Sequence, residues 1–275
     1  MILYFQRDRS PNWLDGLLEI TGNIAQTIGV LPTHLDYSYH ENRQGHKLQK
    51  TKGHIFSAKN VEKLKLDVSS GLDLCGVSFE HRPIPQKANL SDVAVRYSPT
   101  TTRLYKIIDV EIARDLLGRL TTSAQRDFLN NQLVLIDNII DVQYGLITIM
   151  DEMQNPGIYF SDFGVKPMSQ EENLNLGMWV KKEMRQSYET KLRAVYKCNL
   201  LGLGHISAIE NFPNFMNALR AIVGDDDVVQ MPSGKAIFWQ PESEQRQLEL
   251  KKLLDKHQLL LHPDGTEYMN PRLLR

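Results

Sequence analysis

The stretch between Thr121 and Met150 constrains this chain most, because two kinds of periodicity meet there without a linker. Phe128, Leu129, Gln132, Leu133, Leu135, Ile136, Ile139 and Ile140 recur at three- and four-residue spacing. They form one broad apolar helix face, with Thr121 or Thr122 placed to cap its start. Tyr144 to Met150 then runs as a continuous apolar strand. A face that wide must be covered, and a strand following at once puts helix and sheet into one layered unit.

The chain opens with the same elements in reverse. Residues 1 to 7 read as a strand, and Ser10-Pro11 supplies a cap with proline at the first helical position. Trp13, Leu14, Leu17, Leu18, Ile24 and Ile28 give the helix that follows its apolar stripe, and Gly29 closes it before Pro32. From His34 to His54 the sequence is polar, so an exposed loop or ragged hairpin is expected. A short helix over Ala58 to Leu66 precedes β-prone runs at Leu72 to Glu80 and Val93 to Tyr97, with Leu104 to Ile108 extending the sheet. Asp109 and Glu111 suit the positive end of a helix dipole and are expected to start one.

Farther on, the pattern predicts a helix over Gln170 to Arg185, a strand over Leu192 to Leu201, a helix over Asn211 to Val223 and an acidic loop at Asp225 to Asp227. A short strand at Lys235 to Trp239 and a last helix over about Glu242 to His257 follow. The expected class is α+β, with mixed or mainly antiparallel sheets flanked by helices. Two α+β halves, residues 1–118 and 119–275, are expected, either as similar units or as one continuous domain.

The 275 residues, 41% apolar and 24% charged, suffice for a substantial core and lie far from the composition of disordered chains. Lys plus Arg number 32 against 33 Asp plus Glu, a net charge of −1, so no global field draws the chain to nucleic acid or an anionic membrane. The expectation is no direct nucleic-acid partner and no membrane. Cys75 and Cys198 lack the paired spacing of a zinc knuckle or redox motif and are expected as free buried thiols. MILYFQRDRS brings charge too early for a secretory leader, and Asp137, Asn138, Asp141 and Gln143 interrupt the most apolar region. A reducing cytoplasm is the expected compartment.

Candidate chemistry is sparse. His34, His40, His46 and His54 crowd one segment but have neither helical ligand spacing nor a nearby cysteine, so no metal is expected there. Asp73 with Glu80 and His81 suggests the alternative of a metal-dependent hydrolase or nuclease, although no lysine stands at the strand spacing such a centre uses. Gly202-Leu203-Gly204-His205 lacks the third glycine and the following acid of a dinucleotide fingerprint. With no nucleophile elbow, P-loop or Cys/His nucleophile motif in the sequence, neither a catalytic residue nor a cofactor is expected, and the chain reads as a non-enzyme.

Surface character points instead to binding. Asp151-Glu152, Glu171-Glu172 and Asp225-Asp226-Asp227 are carboxylate clusters that could face a basic partner. Tyr159, Phe160 and Phe163 beside Asp162 have the make-up of interface anchors.

Lys191-Leu192-Arg193-Ala194-Val195-Tyr196-Lys197-Cys198-Asn199-Leu200-Leu201, followed by His205, resembles a segment of bacterial immunity proteins from polymorphic-toxin and type VI secretion systems. The helix running into Tyr144-Gly145-Leu146-Ile147 is similar to a step in the same proteins. Within that group the chain looks most like the family paired with restriction-endonuclease-fold DNase toxins, over the C-terminal half. Lys197-Cys198 departs from the more apolar or proline-containing form expected there. The resemblance implies a stoichiometric complex with a cognate toxin. It assigns Arg193, Tyr196, Asn199 and His205 a structural role.

Overall fold

The helix stripe at Trp13–Ile28 (α1) buries Leu14, Leu17, Ile20, Ile24 and Ile28, and Gly29 ends it at φ +76°, a backbone setting that favours glycine. In the computed structural model, residues 1–8, 13–43, 46–82, 92–98, 106–148, 189–192 and 194–260 are described. They belong to two compact units, Met1–Val142 and Gln143–Arg275. The class is α+β, and every strand pair within the two sheets is antiparallel.

The N-terminal sheet is built from Ile2–Asp8 (β1), His34–Arg43 (β2), His46–Ile55 (β3), Leu74–His81 (β4), Val93–Ser98 (β5) and Lys106–Ile112 (β6). Its order is β3-β2-β4-β5-β6-β1. One face carries Leu3, Phe5, Leu35, Tyr37, Val77, Phe79, Val95, Tyr97, Ile108 and Val110, all buried. On this face Trp13 of α1 stacks on Tyr97 with ring centroids 4.3 Å apart. The helix Thr122–Ile139 (α4) packs on α1: a Cβ at Gly16 would lie 2.5 Å from Ile139, and Gln132 donates to Asn23 across the pair at 2.7 Å. Ala58–Ser69 (α2) is capped by Ser57, whose hydroxyl accepts from the Asn60 N–H, and joins α1 through Lys65 and Asp15 at 2.7 Å. The single turn Arg114–Leu117 (α3) connects β6 to α4.

Four local expectations are corrected. His34 to His54 forms two ten-residue strands in continuous register from His34↔Ile55 to Arg43↔His46. The apolar alternation is faint there because β3 is exposed and β2 buries only Leu35 and Tyr37. Asp109 and Glu111 lie on β6 rather than starting a helix, opposite Arg96 and Ala94 of β5. Ile140, counted on the helix face, is extended and begins the strand Ile140–Ile147 (β7); burial of Ile140, Val142 and Tyr144 continues as a two-residue alternation. Among the described residues of the expected Leu192 to Leu201 strand, Cys198–Leu201 (β8) forms one. The expected Gln170–Arg185 helix and the Ser10-Pro11 cap fall outside the described residues.

In the C-terminal unit the sheet order is β7-β8-β10-β9, with Val228–Gln230 (β9) and Ala236–Trp239 (β10). Leu203–Ser207 (α5), Phe212–Val223 (α6) and Glu244–Lys256 (α7) are helices of its described residues. Asn211 caps α6 by accepting from the Asn214 N–H, and proline stands in its first turn. The chain after α7 returns beside Leu192, whose N–H donates to the Leu259 carbonyl at 2.6 Å.

Candidate functional site

Strand alternation sets the face of the N-terminal sheet opposite α1. Asp36, Glu80, Arg96, Asp109 and Glu111 share that face through the pairs Asp36↔Ser78, Ser78↔Arg96, Glu80↔Ala94, Ala94↔Glu111 and Arg96↔Asp109. Arg96 Nη1 sits 2.9 Å from Asp109 Oδ1 and 2.6 Å from Glu111 Oε1, and its Nε is 3.5 Å from Glu80. Arg82, just past β4, bridges Glu80 at 2.9 Å and also pairs with Asp36. The result is a ladder of two guanidiniums and four carboxylates across β2, β4, β5 and β6.

Glu80 and Asp109 are buried. Burial pushes the Asp109 carboxyl up to about 6, with Glu111 adding to the rise and Arg96 opposing it. Arg96 is held above its ordinary value: burial works against its charge, but Asp109, Glu111 and Glu80 outweigh that. Arg82 is raised likewise, Glu80 and Asp36 overcoming burial. A network so interlocked fixes side chains and register. It leaves its guanidiniums committed to carboxylates of the same chain.

The end of the β2–β3 hairpin where Arg43 pairs with His46 holds a second cluster. Asp73 accepts from Lys47 at 3.0 Å and lies 3.3 Å from His40 Nδ1, while Cys75 Sγ is 3.1 Å from that same nitrogen. A shallow cavity of about 390 Å³ opens beside them, lined by Tyr39, Glu41, Asn42 and Leu72 among others. The Lys47 hydrogen bond holds the Asp73 carboxyl below the usual range, whereas burial, reinforced by the Asp73 charge, pushes the Cys75 thiol up. Nucleophilic relays use the two ring nitrogens of a histidine for two different partners. Here sulfur and carboxylate converge on one, and burial opposes ionisation of the thiol, an arrangement unlike such a relay.

These placements separate the residues of the hydrolase alternative. Asp73 precedes β4 and Glu80 lies near its far end, roughly 20 Å or more away at about 3.3 Å per residue. Glu80 is engaged by Arg82 and Arg96. His81 points to the other face, with Nδ1 2.7 Å from the Leu31 carbonyl oxygen. No common centre can draw on all three. The histidines also disperse: His34 bonds Thr33 at 2.8 Å on one face, His54 stacks on Tyr37 on the other, and the His46 side chain lies outside the described residues. Among the described residues no group of three His, Cys, Asp or Glu is arranged to hold a metal ion.

In the C-terminal unit, Asn199 is fully buried on β8. Its Oδ1 accepts the Tyr196 N–H at 3.1 Å and its amide donates to the Tyr196 carbonyl at 2.9 Å. His205, also fully buried, lies beside Tyr144 with ring centroids 5.9 Å apart, and burial lowers its pKa to about 4. The flanking glycines serve close packing: a Cβ at Gly202 would fall 2.0 Å from the Gln143 carbonyl oxygen, and one at Gly204 2.3 Å from that of Glu189. Asp225, Asp226 and Asp227 form a single 3₁₀ turn after Gly224, with Asp225 and Asp226 exposed. Asp151, Glu152, Tyr159, Asp162, Glu171, Glu172 and Arg193 lie outside the described residues.

Sequence reading missed the Cys75–His40 pair and the Arg96 ladder. The ladder left a trace: single charges inside apolar alternation, Arg96 between Val95 and Tyr97 and Asp109 between Ile108 and Val110. Such charges must find each other across strands. The Cys75–His40 contact depends on hairpin register and left none.

No known protein family matches the sequence, and no curated protein matches it. Among solved structures the chain is similar to a Pseudomonas aeruginosa T6SS protein, PA0821, with a TM-score of 0.57 and 8% identity. The match covers 96% of this chain and 75% of that one, and it is a likeness of fold. Among the described residues no helix is long and apolar enough to cross a membrane.

Proposed function

We propose that this protein is an immunity protein that binds a cognate secreted antibacterial toxin, a nuclease, and neutralises it in a stoichiometric complex. The observation that carries the reading is the fold shared with a T6SS protein over 96% of the chain. It joins the resemblance around Tyr196 and His205 to immunity proteins of such systems. Both titratable clusters of the N-terminal unit fit a binder: the Arg96 ladder is spent on rigidity, and burial pushes the Cys75 thiol up. The exposed Asp225–Asp226 turn offers carboxylates to a basic partner, the kind of surface that speeds capture of a nucleic-acid-binding toxin. Asp151, Glu152, Tyr159, Asp162, Glu171 and Glu172 are the other proposed contact residues.

Co-expression with the effector encoded beside its gene is the test. Growth restored, together with a one-to-one complex on size-exclusion chromatography, is the expected result. A lack of both protection and complex overturns the reading.

A further inference from the structure

The free margin of the N-terminal sheet is a feature the toxin-binder reading leaves unused. β3 pairs with β2 along all ten residues and stands last in the strand order, with no described strand on its other side. Lys47 through Gly53 are exposed without a break. Half the backbone N–H and C=O groups of such a strand point away from β2. The strand carries Lys47, Lys50 and Lys52 and no acidic residue; Lys47 is bound to Asp73, and exposed Lys50 lies 3.9 Å from Glu41 of β2. Register places Leu48, Lys50 and Lys52 on one face with Tyr37 and Tyr39, and Lys52 Nζ lies 5.0 Å from the Tyr39 ring centre.

We propose that β3 takes up an acidic extended segment of a partner protein as an added strand. The backbone edge supplies the ladder, as in other strand-addition interfaces, and the lysines supply the charge preference. A second copy is the poorer occupant, because β3 against β3 sets lysine against lysine. The proposal deepens the toxin-binder reading and rests on it. Nuclease centres hold their metal ions with carboxylates, a surface that a lysine-bearing edge complements. The competing account is that the lysines only guard an open edge against aggregation.

Three labelled ten-residue peptides separate these accounts by fluorescence anisotropy with purified full-length protein at low salt. One alternates Glu and Val, one alternates Lys and Val, and one is the Glu/Val peptide N-methylated at every second amide. The Glu/Val probe is expected to bind and to slow amide exchange in β3. At least tenfold weakening is expected on N-methylation and in the exposed-site variant K50E/K52E, with no binding of the Lys/Val probe. Equal binding of the two charge types, indifference to N-methylation, or no binding overturns the proposal. So does a K50Q/K52Q variant that self-associates by light scattering while the wild type ignores every peptide. Failure here with growth protection intact removes this surface alone; peptide binding without protection removes the toxin reading instead.

Discussion

Two polar clusters, one in each unit, are buried by opposite means. In the N-terminal unit Glu80 and Asp109 are buried as members of a charged ladder completed by Arg82 and Arg96. In the C-terminal unit Asn199 is buried as a neutral clamp on the Tyr196 backbone, and His205 as an imidazole whose proton affinity burial has suppressed. A charged ladder with more carboxylates than guanidiniums is cheap only while both guanidiniums are present, since removing one strands carboxylates in a poor solvent. A neutral clamp has a smaller energy at stake, and a buried imidazole is vulnerable only when acid forces a charge on it. The comparison therefore predicts unequal damage and different pH signatures.

The largest effect is expected at Arg96. Arg96→Met keeps the aliphatic stem but leaves Asp109, Glu111 and Glu80 facing one another, and should cost about 3–5 kcal/mol of stability. Urea unfolding at pH 7 measures it. A loss below about 1 kcal/mol would mean that water reaches the carboxylates freely and that the ladder is a surface feature.

Next in size is His205, and only in acid. Its folded pKa of about 4 lies below the ordinary value of about 6.5, so the unfolded chain takes up the proton first as pH falls. Its contribution is intact above about pH 6.5 and is lost progressively toward pH 4, by up to about 3 kcal/mol. His205→Leu should flatten that part of the pH profile relative to wild type. Parallel profiles for the two proteins would show that the imidazole is protonated within the fold.

Asn199→Ala should cost about 2 kcal/mol at any pH, since it strands both a backbone donor and an acceptor of Tyr196. Asn199→Asp puts a carboxyl in the same buried site against the Tyr196 carbonyl, and should cost more than the alanine variant at pH 7 but less in acid, where the protonated group can donate. A pH-dependent loss in the alanine variant would contradict the neutral-clamp account.

How far these features could be read in advance depends on their range in sequence. Helix stripes such as Leu14 to Ile28 and the cap at Thr121 are local, and the structure places them where the pattern does, while Asn211, counted as the first helical residue, is the cap of α6. The helix-to-strand step was legible but its strand was placed four residues late, at Tyr144 instead of Ile140, because Ile140 satisfies both the helical spacing of Ile136 and the alternation with Val142. The β2–β3 hairpin was half legible, because a strand exposed on both faces has little reason to alternate apolar residues. Arg96 finding Asp109, or Cys75 finding His40, depends on register between strands joined by other segments, and spacing along the chain carries no such information.

The smallest effect, and the sharpest test of the ladder, is expected at Asp109. Its folded pKa of about 6 stands above the ordinary carboxyl value, so its contribution is fully present below about pH 4 and is lost as pH rises through 6. Asp109→Asn removes the burden of ionising a buried carboxyl and the Arg96 ion pair together. These oppose each other, so stability at pH 7 should stay within about 1 kcal/mol of wild type. The variant should gain on wild type between pH 4 and pH 8, the reverse of the acid-side gain expected for His205→Leu. If Asp109→Asn instead lost several kcal/mol at pH 7, the Asp109–Arg96 attraction would outweigh desolvation. Surplus carboxylate charge would then be held by the two guanidiniums without strain, and the contrast between the units would reduce to one of partner number.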